Sequence, residues 1–155
     1  MTPASPSPGT AQPATTTADA VLLVHLAERS FGLPLASVER VLPMAYVLAL
    51  PETGRELIGM LNLHGEILPV VDPRPRLGLP TPAMTSEQHL VLVAGATRFL
   101  LWVDSIDEVV QNAELPSAVP TQHASPLIPR VFRLGDTIIP ILAPTALAPS
   151  FGGAQ

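Results

Sequence analysis

The sequence predicts a mainly β protein whose two similar halves pack together as small barrels. Of its 155 residues 47% are hydrophobic but only 4% are aromatic, and 19 prolines and 10 glycines divide the aliphatic residues into short runs. Short runs rich in Val, Leu and Ile are typical of many short strands. An internal repeat divides the folded part into halves that are too small to close a stable core alone. We therefore expect the two halves to share one core.

The two ends of the chain differ in composition from its middle. Residues 1–19 are rich in Pro, Ser, Thr and Ala and offer almost nothing to bury. Such a segment is typical of a disordered tail. We predict one folded domain over residues 20–149, with repeat halves at about 21–79 and 89–148. Residues 150–155 are expected to form a flexible C-terminus.

The repeat consists of two blocks that recur about 70 residues later in the chain. The first block, Phe31 to Leu42, aligns without gaps on Phe99 to Val110, and each copy follows an apolar strand. The second block, Leu61 to Pro73, matches Val131 to Pro144, with one residue inserted in the later copy. Each copy of the second block is predicted to be a β-hairpin.

Turn chemistry supports these hairpins. Gly65-Glu66 and Gly135-Asp136 each place glycine first in a tight loop between two β-rich runs, as a type II′ turn prefers. The strand before the first turn alternates in character, so its residues are expected on two faces. The faces hold Leu61 and Leu63 on one side, and Met60, Asn62 and His64 on the other.

Helices are expected to be minor. At residues 72–78 Asp72 can act as the N-cap, two prolines fall in the first turn, and Gly78 can end the turn. Asp104 is predicted to cap a second turn that extends through Val110. The segment from Leu79 to Gln88 is expected to join the halves as a loop.

Charge and composition exclude several classes of partner. The formal net charge is −5, and the eight basic side chains, all arginine, are scattered, so no basic stripe exists for nucleic acid or an anionic membrane. The longest apolar runs are about six residues, whereas a membrane span needs roughly 20. The start of the chain lacks the basic and apolar regions of a secretory signal, so we expect a cytoplasmic location without membrane insertion.

The carboxylates and histidines are the candidate catalytic residues of the sequence. Asp72 and Asp104 invite comparison with a pair of carboxylates that shares a proton. The repeat aligns Asp72 with Ala143 and Asp104 with Ala36, so we do not expect the two aspartates to meet across a pseudo-twofold axis. The four histidines lack metal-ligand spacing, and no nucleophile elbow or phosphate loop is present. We therefore expect no metal, cofactor or enzymatic activity; a small hydrolase using either aspartate is the remote alternative.

One segment resembles a known family. Residues 57–79, L-I-G-M-L-N-L-H-G-E-I-L-P-V-V-D-P-R-P-R-L-G-L, resemble the signature of the chemotaxis coupling proteins, or CheW-like domains, usually G-x-x-N-L-R-G-x-I-x-P-V-V-D-L-R-x-x-L. Two further matches, F-G-L-P-L-A-S-V-E-R-V-L from Phe31 and L-W-V-D-S-I-D-E-V-V from Leu101, extend the resemblance from about Val21 to Leu147. It implies two intertwined five-stranded SH3-like barrels with one or two very short helices.

The resemblance also implies a function and a set of residues. Members of this family are adaptors that couple the cytoplasmic hairpin of a chemoreceptor to the related regulatory domain of a histidine kinase. The positions that match partner-binding residues are Val38, Arg40, Gly59, Asn62, His64 and Ile106. The positions that match structural signature residues are Gly65, Pro69, Asp72, Gly78, Asp104 and Gly135. The residues themselves leave alternatives open: Val38 and Ile106 suit a core, Gly59 a backbone role, and Asn62 and His64 a solvated strand face.

Three departures from the family pattern put the choice of partner in question. His64 stands where the signature has arginine, Arg40 stands where the family often has an acid, and Leu100 stands where it often has glycine. Loss of one charged hydrogen bond costs roughly 1.5 to 3 kcal/mol, or about 10- to 100-fold in affinity. The second hypothesis is therefore a scaffold that pairs with other domains of this type without coupling to a kinase.

Overall fold

The computed structural model describes residues 20–49, 56–111 and 126–149. Within these ranges the chain forms eleven strands, a 3₁₀ helix at Leu35–Ser37, and two α-helices of one turn each. The strands are β1 (Val21–Leu26), β2 (Arg29–Pro34), β3 (Val38–Pro43), β4 (Leu48–Ala49), β5 (Leu57–Leu63), β6 (Glu66–Val71), β7 (His89–Val93), β8 (Phe99–Val103), β9 (Ser105–Val110), β10 (Arg130–Leu134) and β11 (Thr137–Ile141). The helices are α1 (Arg74–Leu77) and α2 (Pro144–Leu147). The predicted tail, residues 1–19, and the predicted flexible C-terminus, residues 150–155, lie outside the described residues.

Each of the two sheets contains strands from both halves of the chain. The first sheet has the order β10-β11-β2-β1-β9, and the second has the order β3-β7-β8-β6-β5-β4. In both sheets, the first two strands of one half lie between later strands of the other half. The expected intertwining of the halves is thus confirmed. The second sheet has a sixth strand, β4, which the sequence analysis did not predict.

The halves interlock where two strands run parallel. Gly32 of β2 pairs with Ile141 of β11, and Val70 of β6 pairs with Leu100 of β8. These two junctions are equivalent under the repeat. Every other strand pairing in the described ranges is antiparallel. Neither half can therefore complete its sheet without strands from the other.

The largest hydrophobic core draws on both halves. Its buried members come from β1, β2, β6, β7, β8 and the C-terminal region: Leu22, Val24, Leu26, Phe31, Leu33, Val71, Val91, Val93, Phe99, Leu101, Val103, Leu127, Leu142 and Leu147. A second cluster around Leu90 and Trp102 lies on the other face of the second sheet. Burial of this aliphatic surface at about 25 cal/mol per Å² is the main source of stability. The expectation of one shared core is confirmed for the largest cluster.

The two hairpin turns differ in type. The turn between β10 and β11 is Gly135-Asp136, with φ of 61° at the glycine, as predicted. The turn between β5 and β6 is His64-Gly65, with φ of 53° and 92°, so the prediction of Gly65-Glu66 was wrong. Leu63 pairs with Glu66, which leaves two residues with positive φ, as in a type I′ turn. His64 therefore lies in the turn, and its predicted place on the strand face beside Met60 was also wrong.

The predicted capping of the first helix is confirmed. Asp72 Oδ1 accepts a hydrogen bond from the backbone N–H of Arg74 at 3.0 Å. At the other end Gly78 has φ of 73°, and the N–H of Leu79 donates to the carbonyl of Arg74 at 2.9 Å, as in a Schellman motif. The predicted helical turn after Asp104 was wrong, because that segment is strand β9 and pairs with β1. No helix in the described ranges is long and apolar enough to cross a bilayer.

Candidate partner-binding surface

A buried arginine brings the two aspartates of the signature segments together. Arg74 is 0% exposed, and its Nη1 donates to Asp72 Oδ1 at 2.8 Å. Its Nη2 lies 3.0 Å from Asp104 Oδ1, an ion pair without hydrogen-bond geometry. Asp72 and Asp104 therefore lie on one guanidinium, which the repeat alignment did not indicate because it does not include the arginine that attracts both carboxylates. A cation thus links the two carboxylates.

Neighbouring groups complete this cluster. The Arg74 guanidinium lies 4.5 Å from the centre of the Trp102 ring, within cation–π distance. The Thr81 hydroxyl donates to Asp72 Oδ2 at 2.6 Å, and Asp104 Oδ2 accepts the backbone N–H of Ala27 at 2.7 Å. Both carboxylates are thus occupied by structural donors. The cluster ties helix α1 to the turns before β2 and β9, and it holds the fold together rather than forming an acid–base pair.

Val38 and Ile106 lie at equivalent places on the edge strands of the two sheets. Val38 on β3 pairs with Val93, and Ile106 on β9 pairs with Val24. Both side chains are half-buried and pack against the largest core. These contacts support the alternative interpretation that Val38 and Ile106 are core residues. Contact with a receptor stays a prediction for both.

Gly59 has a backbone role in the second sheet. It is buried on β5, and a Cβ atom placed there would lie 2.2 Å from the carbonyl oxygen of Leu48. Only glycine lets β4 approach β5 this closely. Pro69, another signature residue, pairs with Met60 on β5 but precedes the first β8 pairing at Val70. Pro69 therefore sits where the parallel ladder to β8 needs no N–H from it.

An apolar groove adjoins the signature hairpin. Its lining is formed by Ala45, Tyr46, Leu48, Met60, Leu61, Asn62 and Ile67, and it has a volume of about 580 Å³. Tyr46 is 83% exposed, and Leu48 and Ile67 are each 55% exposed. Tyr46 and Leu48 could not be predicted as site residues from the family signature, because they precede it and match no motif. The signal that was available is that Tyr46 is the only tyrosine of the chain.

The polar signature residues lie beside this groove. Asn62 is exposed on β5, and its Oδ1 accepts the N–H of Gly65 at 2.8 Å. Asn62 thus stabilises the turn as well as facing solvent. His64 is exposed at the tip of the same turn. The structure brings Asn62 and His64 to one hairpin, whereas Ile106 lies on the other sheet.

A surface arginine connects three strands of the second sheet. Arg98, directly before β8, donates from Nε and Nη2 to the carboxylate oxygens of Glu39 on β3 at 3.0 and 2.9 Å. Its Nη1 donates to Glu66, the first residue of β6. The hydrogen bonds and charge of Arg98 lower the pKa of the Glu39 carboxyl, and the two glutamates raise the pKa of Arg98. We call Glu39, Arg40, Glu66 and Arg98 the charged patch.

Comparison with known proteins identifies the family. The family model of the CheW-like domain matches residues 20–151. A probable chemotaxis protein CheW of Rhizobium etli is 27% identical over 114 residues, which cover 67% of this chain and 73% of that protein. The crystal structure of the scaffolding protein TtCheW from Thermoanaerobacter tengcongensis matches with a TM-score of 0.69 at 25% identity, over 81% of this chain and 88% of that chain. This chain belongs to the CheW-like domain family, a family of adaptors without catalytic activity.

Proposed function

We propose that this protein is a cytoplasmic chemotaxis scaffold that couples a receptor to a histidine kinase. The kinase contributes its regulatory domain, which is itself related to this fold, and the receptor contributes the cytoplasmic tip of a helical hairpin. Membership of the CheW-like family supports this role. The names of two relatives, a probable chemotaxis protein and a scaffolding protein, agree with it.

The exposed groove beside the signature hairpin is the observation that carries the proposal. A contiguous apolar patch on a protein surface marks an interaction site more often than isolated apolar residues do. Tyr46 is the kind of large, rigid anchor that is enriched at the centres of interfaces, and Asn62 supplies a polar rim. We assign this groove to the kinase regulatory domain, because it adjoins the hairpin that carries the family signature.

The receptor is assigned to the edges of the two sheets. Val38 and Ile106 occupy equivalent positions there, and each is only partly covered by the shared core. A helical hairpin with an apolar stripe can cover such partly exposed β-branched residues. The groove residues and these two edge positions are different sets of residues, so the two partners are assigned to different surfaces.

Calorimetry with the regulatory domain of the cognate kinase tests the proposal. We expect binding by the wild type and a loss of at least about tenfold in affinity for Tyr46→Ser, because an anchor side chain is removed. Met84→Ser is the matched control, since Met84 is also an exposed apolar residue but lies in the loop between the halves. Absence of binding by both the wild type and His64→Arg would exclude kinase coupling. Self-association of such a protein would then favour the scaffold that pairs only with its own kind.

A further inference from the structure

The charged patch contains one charged side chain that forms no ion pair with any described residue. Glu39 and Glu66 both form an ion pair with, and accept hydrogen bonds from, the guanidinium of Arg98. Arg40 is exposed, and none of the described side chains forms an ion pair with it. Two positive and two negative side chains sum to zero, and Arg40 is the member whose charge is not engaged in an ion pair and can bind a partner.

Arg98 also links the strand that carries Arg40 to the signature hairpin. Glu39 is the chain neighbour of Arg40, and Glu66 follows the His64-Gly65 turn directly. Because one guanidinium contacts both carboxylates, the edge strand β3 and the start of β6 lie within its span, although β7 and β8 separate them in the sheet. A partner that covers the hairpin tip and extends across the sheet to β3 therefore meets Arg40 as well.

We propose that Arg98 determines the specificity of this surface by occupying two carboxylates that would otherwise face the partner. With Glu39 and Glu66 held, the patch presents the fixed positive charge of Arg40. It accepts a partner surface that carries a carboxylate opposite Arg40 and rejects one that carries a cation there. The inference rests on the proposed function, since the partner we assign to this hairpin is the kinase regulatory domain.

Arg98 does not contact the partner in this proposal. It acts as a positioning residue that holds the carboxylates of Glu39 and Glu66. Replacing it by glutamine frees both glutamates, so the patch changes from neutral to one excess negative charge. Like charges placed opposite each other at an interface disfavour the complex. In the wild type the contact with Arg40 is attractive and should weaken as salt is raised. In Arg98→Gln the net contact is repulsive, and added salt should no longer weaken it.

Affinity for the kinase regulatory domain, measured by calorimetry at low and high salt, tests the inference. We expect Arg98→Gln to bind about tenfold more weakly than the wild type at low salt. The triple variant with Glu39→Gln and Glu66→Gln added should regain at least wild-type affinity, because it removes the freed carboxylates. Glu39→Gln/Glu66→Gln with Arg98 retained should bind more tightly. Arg133→Gln, an exposed arginine on β10 of the other sheet, is the control and should change nothing.

The triple variant separates charge from simple bracing of the strands. If Arg98 only held β3 and β6 together, the triple variant would lack every contact of the patch and would bind as weakly as Arg98→Gln. That result, or unchanged affinity in Arg98→Gln, would overturn the inference while leaving kinase coupling intact. If the wild type itself failed to bind the regulatory domain, the proposed function would fall and the inference with it.

Discussion

Nη1 of Arg74 donates a 2.8 Å hydrogen bond to Oδ1 of Asp72, and both residues are buried. The same carboxyl oxygen accepts the N–H that begins helix α1. One aspartate therefore caps the helix and neutralises a charge in the interior. The D-x-R spacing of the signature follows from this geometry, because two residues after the cap is the position whose backbone and side chain both reach the carboxylate.

Replacing Asp72 by alanine is expected to destabilise the fold strongly. The variant would leave Arg74 with only the partly exposed Asp104 as an anion, and breaking a buried ion pair costs about 3–5 kcal/mol. Urea denaturation followed by circular dichroism measures the change. Asp136→Ala, at an exposed turn, is the control and should stay within about 0.5 kcal/mol of wild type. A loss below about 1 kcal/mol for Asp72→Ala would show that the ion pair is dispensable.

Replacing Gly59 by alanine is expected to displace β4. The added methyl would overlap the carbonyl of Leu48, so β4 must move or β5 must bend, at a cost of about 1–3 kcal/mol. Faster amide hydrogen exchange at Leu48 and Ala49 should report the loss of pairing with β5. Thr97→Ala in the exposed loop before β8 is the control. Unchanged exchange in β4 would contradict the close packing seen at Gly59.

Much of the fold could be predicted because it depends on local signals. The repeat, the second hairpin turn and the capped turn at residues 72–78 each arise from residues that are close in sequence, and the structure confirms them. The intertwining of the two halves, in which each sheet contains strands from both, was predicted only from the resemblance to a family. No local pattern distinguishes strands that pair within a half from strands that cross to the other.

The parts that could not be predicted depend on distant contacts. Strand β4 is two residues long and pairs through its backbone, so its composition carries no signal. The His64-Gly65 turn places a non-glycine residue at positive φ, which turn preferences alone disfavour. Arg74 was overlooked as a site because a buried charge is rare, and only the fold shows that Asp104, 30 positions later by the numbering, lies beside it. Assignment of Val38, Arg40 and Ile106 to partners stays a prediction.

The turn between β1 and β2 offers a stabilising substitution. Ala27 and Glu28 have φ of 52° and 70°, the type I′ pattern in which glycine is preferred at the second position. The left-handed conformation costs a non-glycine residue roughly 1–2 kcal/mol, which a glycine would avoid. Part of this gain in stability is lost, because glycine has greater conformational freedom in the unfolded chain. We expect Glu28→Gly to raise the free energy of unfolding by about 0.5–1 kcal/mol.

Chemical denaturation measures the effect of Glu28→Gly. Glu87→Gly is the matched control, because Glu87 is also an exposed glutamate in a turn but does not have a positive φ. There the added flexibility should be neutral or destabilising. A Glu28→Gly variant that is no more stable than wild type would show that the conformation at this turn is not strained.

The bonds between Arg98 and Glu39 should make the charged patch sensitive to acid. Arg98 lowers the pKa of Glu39 below its ordinary value of 4.5, so the carboxylate stays ionised to a lower pH when folded than when unfolded. A group whose folded pKa is depressed contributes stability above its unfolded pKa and loses it as the pH falls through the folded pKa. The patch should therefore be intact at neutral pH and come apart as the pH falls through the folded pKa of Glu39, which lies below 4.5.

Carboxyl carbon chemical shifts, followed by NMR from pH 7 to pH 2, measure this titration directly. We expect the midpoint of Glu39 to rise towards its ordinary value in Arg98→Gln, since the largest cause of the shift is removed. Arg133→Gln removes an arginine of the other sheet and should leave the Glu39 midpoint in place. Equal midpoints in the wild type and Arg98→Gln would show that Arg98 does not hold Glu39 in solution. In that case Glu39 would already face the partner in the wild type, and the specificity assigned to Arg98 would lose one of the two held carboxylates on which it depends.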